Sequence, residues 1–514
     1  MRETLETPAS GRLRYGGLFA GALTAIVFLL LPLPEGLDER GRAVMATTAL
    51  MAIWWMTEAL PIPVTALLPL ILFPLFDVMS MPEVAIPYGH HLVFLFLGGF
   101  VLALAVERSG LHRRIAIRII LIVGERPSRL VLGFMLATAA LSMWISNTAT
   151  VMLMLPIALA VIEHVRSSCA DDADPVRGKG NFAIALLLGI AYAASIGGVA
   201  TLIGTPPNIV LAGVLAKLYP EAPDISFVRW MMFGVPVAAL FLPLAWLLLV
   251  HVLPGSRIGN ARGAAGARLS TQTCIALPGL MSRDERLVLL VFLLTAAGWM
   301  FRVPLDLGFT TLPGLTMLFP RIGDSTVAMI SAVLLFLLPG QRGGAILTWK
   351  EVRHGLPWGI LLLFGGGFAL AEGMRDSGVT LWLGNLFTGA EGLPLWLLLL
   401  LICGIFTFTT ELTSNTATAA ILLPVLASTA VSFGYHPLMF MVPAAFSASF
   451  AFMLPVATPP NAIVFSSSMV SIRQMAATGL LLNLIGVLLI TVMMLLLGVE
   501  VFGIDNNVLP VWAR

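Results

Sequence analysis

Two five-residue stretches of this chain carry hydroxyls and an amide amid sequence that is otherwise almost wholly apolar. Ser146-Asn147-Thr148-Ala149-Thr150 recurs letter for letter as Ser414-Asn415-Thr416-Ala417-Thr418, 268 positions later. Each copy is followed by a Leu-Pro pair, ending at Pro156 and Pro424. Lipid offers such groups no hydrogen-bond partner, so something else must occupy the place. Ser, Thr and Asn oxygens suit a hard cation such as Na+, while hydroxyls and backbone N–H groups suit a carboxylate or another oxyanion. Two such turns facing each other could hold an anion together with its coupling cations. No nucleophile–base pair, metal cluster or cofactor motif accompanies them, which sets an enzyme aside.

The elements that must position these turns are membrane helices. The chain has 514 residues, 58% hydrophobic and 11% charged, whereas soluble domains carry about 25% charged residues. Repeated apolar runs define an all-α polytopic membrane protein in contact with the lipid bilayer. A net charge of +2 gives no reason to expect nucleic acid. Cys169, Cys274 and Cys403 lie too far apart in sequence to suggest a disulfide framework or metal-ligand spacing.

The first apolar run is read as a span and not as a signal peptide, because many more follow. Spans are expected at roughly 17–34, 44–60, 64–76 and 91–106. In the basic segment from Glu107 to Arg129, Arg113, Arg114 and Arg118 share one helical face and Ile115, Ile119 and Ile122 another. That pattern suits a helix lying in the interface. Residues 130–160 place the first Ser-Asn-Thr turn between arms too short to span, which predicts a re-entrant hairpin. A polar loop (Arg166 to Lys179) leads to a span at 182–216, broken by Gly197-Gly198 and by Gly204-Thr205-Pro206-Pro207-Asn208. Pro-Pro stops a helix and frees carbonyls, and the following half-helix presents N–H groups. After a span at 227–253, an arginine-rich stretch (Arg257, Arg262, Arg268, Arg283, Arg286) reads as the linker. The second half has spans at 286–302, 326–339 and 357–374, a hairpin at 393–430, a broken span at 438–470 and a final span at 474–499. About eleven spans and two hairpins result. Lys and Arg concentrate on one side, putting the N-terminus in the cytoplasm and the C-terminus outside an inner (plasma) membrane.

The halves match in order. Gly98-Gly99-Phe100 and Gly366-Gly367-Phe368 keep the 268-residue interval, and Thr205-Pro206-Pro207-Asn208 recurs as Thr458-Pro459-Pro460-Asn461 after 253. An odd number of crossings between the hairpins makes this an inverted-topology repeat, with a site where the repeats meet. A lone Ser-Asn-Thr in a membrane helix would be interhelical glue worth around 0.6 kcal/mol per contact. Two copies in register, each beside a Thr-Pro-Pro-Asn break, favour a site. The glycines at 98–99 and 365–367 read as close-packing residues. Glu58 and Glu411 are functional candidates as carboxylates in or near the membrane. Glu411 divides evenly between that role and pairing with hairpin backbone groups.

The stretch Ser449-Phe450-Ala451-Phe452-Met453-Leu454-Pro455-Val456-Ala457-Thr458-Pro459-Pro460-Asn461-Ala462-Ile463-Val464 resembles the signature of the divalent anion:sodium symporter family. The two Ser-Asn-Thr turns, Trp55-Met56-Thr57-Glu58-Ala59 and Gly204-Thr205-Pro206-Pro207-Asn208 resemble it too, so that the likeness covers about 15–500. It implies a homodimeric, elevator-type transporter with scaffold and transport domains. The expected division is 1–90 scaffold, 91–226 transport repeat 1, 227–356 scaffold and linker, 357–474 transport repeat 2, and 475–514 C-terminal helix and tail. It further implies that Ser146, Asn147, Thr148, Ser414, Asn415 and Thr416 grip the substrate carboxylates, with Thr205, Thr458 and Pro459 adding contacts. A first sodium would be held by Ser142, Ser146, Asn147 and carbonyls around Gly204. A second would be held by Thr410, Thr413, Asn415 and carbonyls around Ala457, giving Na+ as coupling ion at two or more sites. The Ala457-Thr458-Pro459-Pro460 form is similar to that of the family's carboxylate transporters, which implies symport of a C4 dicarboxylate such as succinate, malate or fumarate. Sodium-independent exchange, and sodium-coupled citrate or sulfate transport, are the alternatives. No Arg or Lys lies in either turn, so the anion's charge must be met by cations and dipoles, or by exchange for another anion.

Overall fold

Long apolar runs in lipid must satisfy their own backbone groups, and they do so here as helices. The computed structural model describes residues 11–32, 36–124, 126–168, 175–252, 279–306, 311–341, 343–386, 392–505 and 508–513. Arg257, Arg262 and Arg268 of the expected linker, Arg2, Cys169 and Cys274 lie outside the described residues. Among the described residues, five helices are long and apolar enough to cross a membrane: Met81–Ser109, Asn147–Val165, Phe227–His251, Asn415–Ser432 and Ile472–Val501. A sixth arises if Trp349–Gly355 and Trp358–Asp376, bent by 62°, count as one. The other apolar helices are shorter, at 10–17 residues.

Several expected elements take a different form. The span at 64–76 is two short helices, Ile62–Thr65 and Leu68–Leu75, each begun by a proline in its first turn and the second carrying Pro74 inside. Proline lacks the N–H that would continue the ladder. The second arm of each hairpin, Asn147–Val165 and Asn415–Ser432, is long enough to span, contrary to the reading that both arms are short. One departure from pure helix is a two-residue antiparallel pairing of Leu305–Asp306 with Thr311–Leu312.

The helix expected in the basic segment forms as Leu111–Val123, opened by Gly110 in the left-handed region at φ 81°. Its faces are not divided as the sequence suggested. Arg113 and Arg118 are exposed, but Arg114 is buried and Ile122 is 83% exposed. Arg114 makes a two-pronged contact with Glu285, Nε to Oε1 at 2.9 Å and Nη2 to Oε2 at 3.0 Å. It also donates to the Gly279 and Leu280 carbonyls. Glu285 in turn closes the capping box of Arg283–Met300 with Ser282. The arginine is placed by a partner 171 residues away, which its own helical period could not reveal.

Aromatic packing fixes Phe227–Leu247 against both halves. Trp144, at the tip of the first hairpin, lies near Phe227 and Trp299. Trp230 and Phe233 pack on Phe446, and Phe241 packs on Phe450 and Phe452. One helix therefore bears on the tip of one repeat and the break of the other.

Removing one member of a buried ion pair strands its partner's charge, typically at about 3 kcal/mol or more. Glu285→Ala is therefore expected to destabilise the protein by roughly 3 kcal/mol, seen as a lowered thermal midpoint in detergent. Arg118→Ala, on the exposed face, should leave the midpoint unchanged.

Candidate functional site

The two Ser-Asn-Thr stretches sit where the arms of helical hairpins turn. In the first hairpin Pro127–Ser142 is followed by Asn147–Ser168, and in the second Leu395–Thr410 by Asn415–Ser432. Each turn is closed by the same bond. Ser142 Oγ donates to Asn147 Oδ1 at 2.5 Å, and Thr410 Oγ1 donates to Asn415 Oδ1 at 2.6 Å. The 268-residue interval of the sequence is thus carried by a side-chain pair: a hydroxyl at the end of one arm and the amide that opens the next. Thr410 Oγ1 also lies 3.0 Å from the Ala448 carbonyl oxygen, which ties the tip to the neighbouring break.

The breaks match as closely. Thr205 and Thr458 stand in extended conformation (φ −144°, ψ 143° and φ −142°, ψ 148°) before Pro206–Leu218 and Pro459–Phe465. Proline in the first helical turn loses nothing, because its missing N–H would have no partner there. The carbonyls left behind are gathered by the asparagine three residues on. Asn208 Nδ2 donates to Thr201 O at 2.7 Å and Gly198 O at 3.4 Å. Asn461 Nδ2 donates to Leu454 O at 3.0 Å and Ala451 O at 3.1 Å. These four acceptors correspond in pairs at the 253-residue interval. Both asparagines are fully buried.

Tips and breaks are packed together within each repeat and across repeats. A Cβ on Gly198 would lie 2.6 Å from Asn147 Oδ1, and one on Gly204 would lie 2.2 Å from the Gly198 carbonyl oxygen. Gly198, Gly204 and Asn147 therefore meet in one place. Across the repeats, Thr205 Oγ1 and Ser449 Oγ are 3.4 Å apart and buried. Pro206–Leu218 packs on Asn415–Ser432, while Pro459–Phe465 packs on Asn147–Ser168. Each half-helix thus rests on the hairpin of the other half.

The remaining candidates divide by exposure and partner. Ser146 is exposed and its Oγ accepts from Ala149 N at 3.3 Å, capping its own helix. Asn147, Thr148, Ser414 and Asn415 are half-buried, whereas Thr416 is buried. Thr458 is buried and its Oγ1 accepts from Asn461 N at 3.4 Å; Ala457 is buried and Pro459 exposed. Thr413 directs its hydroxyl elsewhere, to Thr409 O at 2.9 Å and Thr418 Oγ1 at 2.6 Å. Its side chain is thus engaged by the hairpin itself.

The carboxylate left undecided by sequence is placed by the fold. Glu411 accepts from the backbone N–H groups of Phe452, Met453 and Leu454, and from Asn483 Nδ2. Its backbone partners belong to the broken span and not to the hairpin. Glu58 is exposed at the end of Glu39–Met56, with φ 47°. Sequence gave no role to Thr201, Ser449 or Asn483. Asn208 and Asn461 were visible within a repeated motif, and their shared interval was the signal that could have marked them.

Long apolar helices around paired tips and breaks define a multi-pass α-helical membrane protein. More narrowly, the chain belongs to the sodium:sulfate symporter family, whose transmembrane-region model matches residues 14–504. The sodium-dependent dicarboxylate transporter SdcS of Staphylococcus saprophyticus is 44% identical over 492 residues, covering 95% of this chain and 92% of the relative. SdcS of Staphylococcus aureus is 41% identical over 494 residues, with 96% and 92% covered. The MtrF structure of Neisseria gonorrhoeae, described as illuminating a class of antimetabolite efflux pumps, superposes with a TM-score of 0.56 at 13% identity, covering 96% of this chain and 97% of that one. The YdaH transporter of Alcanivorax borkumensis gives 0.53 at 15%, with 79% and 85% covered. These two likenesses concern the fold alone. The family membership bears out the resemblance carried by the signature around Thr458.

Gly204→Ala is expected to cost about 2 kcal/mol, because the added methyl meets a carbonyl oxygen that a packed break cannot move. Gly404→Ala, where nothing lies within 4 Å of the new Cβ, should be neutral or slightly stabilising. Thermal unfolding of both in detergent checks the contrast.

Proposed function

We propose that this protein is a sodium-coupled symporter that imports C4 dicarboxylates such as succinate, malate or fumarate. The observation that carries the reading is the paired Ser142–Asn147 and Thr410–Asn415 contact, two matching oxygen clusters beside two matching helix breaks. Hydroxyl, amide and carbonyl oxygens fit Na+, and the donors on the same turns fit a carboxylate. On this reading Ser142, Ser146, Asn147 and the Gly204 carbonyl hold one sodium, and Thr410, Asn415 and carbonyls at Thr413 and Ala457 hold another. Ser146, Asn147, Thr148, Ser414, Asn415, Thr416, Thr205, Thr458 and Pro459 surround the anion. Two curated relatives named as sodium-dependent dicarboxylate transporters support the choice of cation and anion.

The transport cycle is an elevator motion in a homodimer. Residues 91–226 and 357–474 move as an inverted-repeat transport domain against a scaffold of 1–90, 227–356 and 475–514. The N-terminus is cytoplasmic and the C-terminus outside. Neutral site residues support coupling, since bound cations would let a doubly charged anion cross the low-dielectric interior.

Uptake of labelled succinate into proteoliposomes should require an inward sodium gradient. Equal uptake in choline would sink the coupling, stimulation only by internal dicarboxylate would mean exchange, and competition by excess sulfate or citrate would move the substrate class. A second expectation concerns shared ligands. Asn147→Ala and Asn415→Ala should each weaken succinate and sodium affinity together by roughly tenfold, the scale of a lost hydrogen bond to a charged ligand. A variant with weaker succinate binding and unchanged sodium dependence would separate the two sites and end the shared-ligand scheme.

A further inference from the structure

Glu411 follows Thr410 directly and is 3% exposed. Its Oε1 accepts from Phe452 N at 2.7 Å, Met453 N at 2.9 Å and Asn483 Nδ2 at 2.7 Å, and Oε2 accepts from Leu454 N at 3.0 Å. All four partners are donors. Donors and no acceptor converge on this carboxyl group, the arrangement that hydrogen-bonds its ionised form. None of the four carries a formal charge, and no ion pair to Glu411 occurs among the described residues. A buried carboxylate with only neutral donors still lacks a counter-charge, and at membrane depth that is costly.

The first repeat shows what the charge adds. The residue 268 positions before Glu411 is Met143, whose backbone carbonyl accepts the Thr201 hydroxyl. Thr201 corresponds to Leu454 at the 253-residue interval, and Leu454 N is bound by Glu411. The tip is thus tied to the break at matching positions in both halves, once by a neutral bond and once by a carboxylate. Joining tip to break does not itself need a charge.

We infer that Glu411 is a positioning residue supplying the counter-charge for the second cation, beside Thr410 and Asn415. The two sodium positions are then unequal, the second being the tighter because a full negative charge stands behind it in low dielectric. This rests on the sodium-coupled reading above and deepens it: the repeat supplies two geometries, and one acidic residue ranks them.

The test is a sodium titration of thermal stability on the full-length protein in detergent, with choline chloride keeping ionic strength constant. Glu411→Gln keeps the shape and loses the charge. It should raise the sodium concentration for half-maximal stabilisation roughly tenfold, as expected for a nearby charge in low dielectric. Asn483→Leu keeps the charge and drops one donor, so its half-maximal concentration should stay at the wild-type value even if its midpoint in choline falls. Asn483→Lys sets a cation beside the carboxylate and should mimic Glu411→Gln, which keeps the question answerable if the latter does not fold. A Glu411→Gln protein with a lowered midpoint but unchanged sodium requirement would make Glu411 a mechanical latch and overturn the inference. So would failure of both neutralised variants to fold at any sodium concentration. A wild-type protein that sodium does not stabilise at all would instead overturn the sodium-coupled reading itself.

Discussion

The structure depends on one constraint: where a helix stops inside an apolar interior, every backbone group it releases must find a partner inside the protein. Breaks after Gly198 and Ala448, and tips after Ser142 and Thr410, release carbonyls and N–H groups at four places. Asn208 and Asn461 answer at the breaks by reaching back to two carbonyls each. Ser142 and Thr410 answer at the tips by fixing the amides that open the next arms. Buried polar networks of this kind are specific because a missing partner costs more than a made bond returns. At these four places irregular backbone is stable because these few side chains stand there.

These four places set the chemistry. Oxygens and N–H groups displaced from regular helix stand there beside hydroxyls and amides, a set of ligands that needs no basic side chain. The same break that needs Asn208 for its carbonyls leaves Thr205 extended and facing Ser449 of the other half. Glycine makes the approach possible, since any side chain at 198 or 204 would occupy the space of Asn147 Oδ1 or of a carbonyl oxygen. Structural economy and ligand chemistry thus draw on the same residues, and substitutions there are expected to move both.

Much of this was legible in the sequence, for a physical reason. The Thr-Pro-Pro-Asn break is local: proline starts the half-helix, threonine precedes it, and the asparagine reaches carbonyls only 7 and 10 residues back. The hairpin turn is local too, since Ser142 to Asn147 and Thr410 to Asn415 are five residues apart. Motifs closed over so short a span repeat visibly. Arg114 and Glu411 were misread or undecided because their partners are remote, 171 residues away for one and 41 to 72 for the other. The span at 64–76 failed differently: its hydropathy was right, but its prolines divide it into two short helices.

Identical pentapeptides do not make identical places. The asparagine-to-carbonyl bonds of the breaks agree, yet the residues that tie tip to break do not: Met143 offers a carbonyl where Glu411 offers a carboxylate. Thr413 has no counterpart either, since Ile145 stands 268 positions before it. Accordingly Thr418 finds a hydroxyl partner while the Thr150 hydroxyl is buried without one. A repeat preserves the bonds that close each unit on itself and lets the surrounding contacts drift. The self-closing bonds keep two halves of one chain in register, and the drifting ones let those halves take unequal parts.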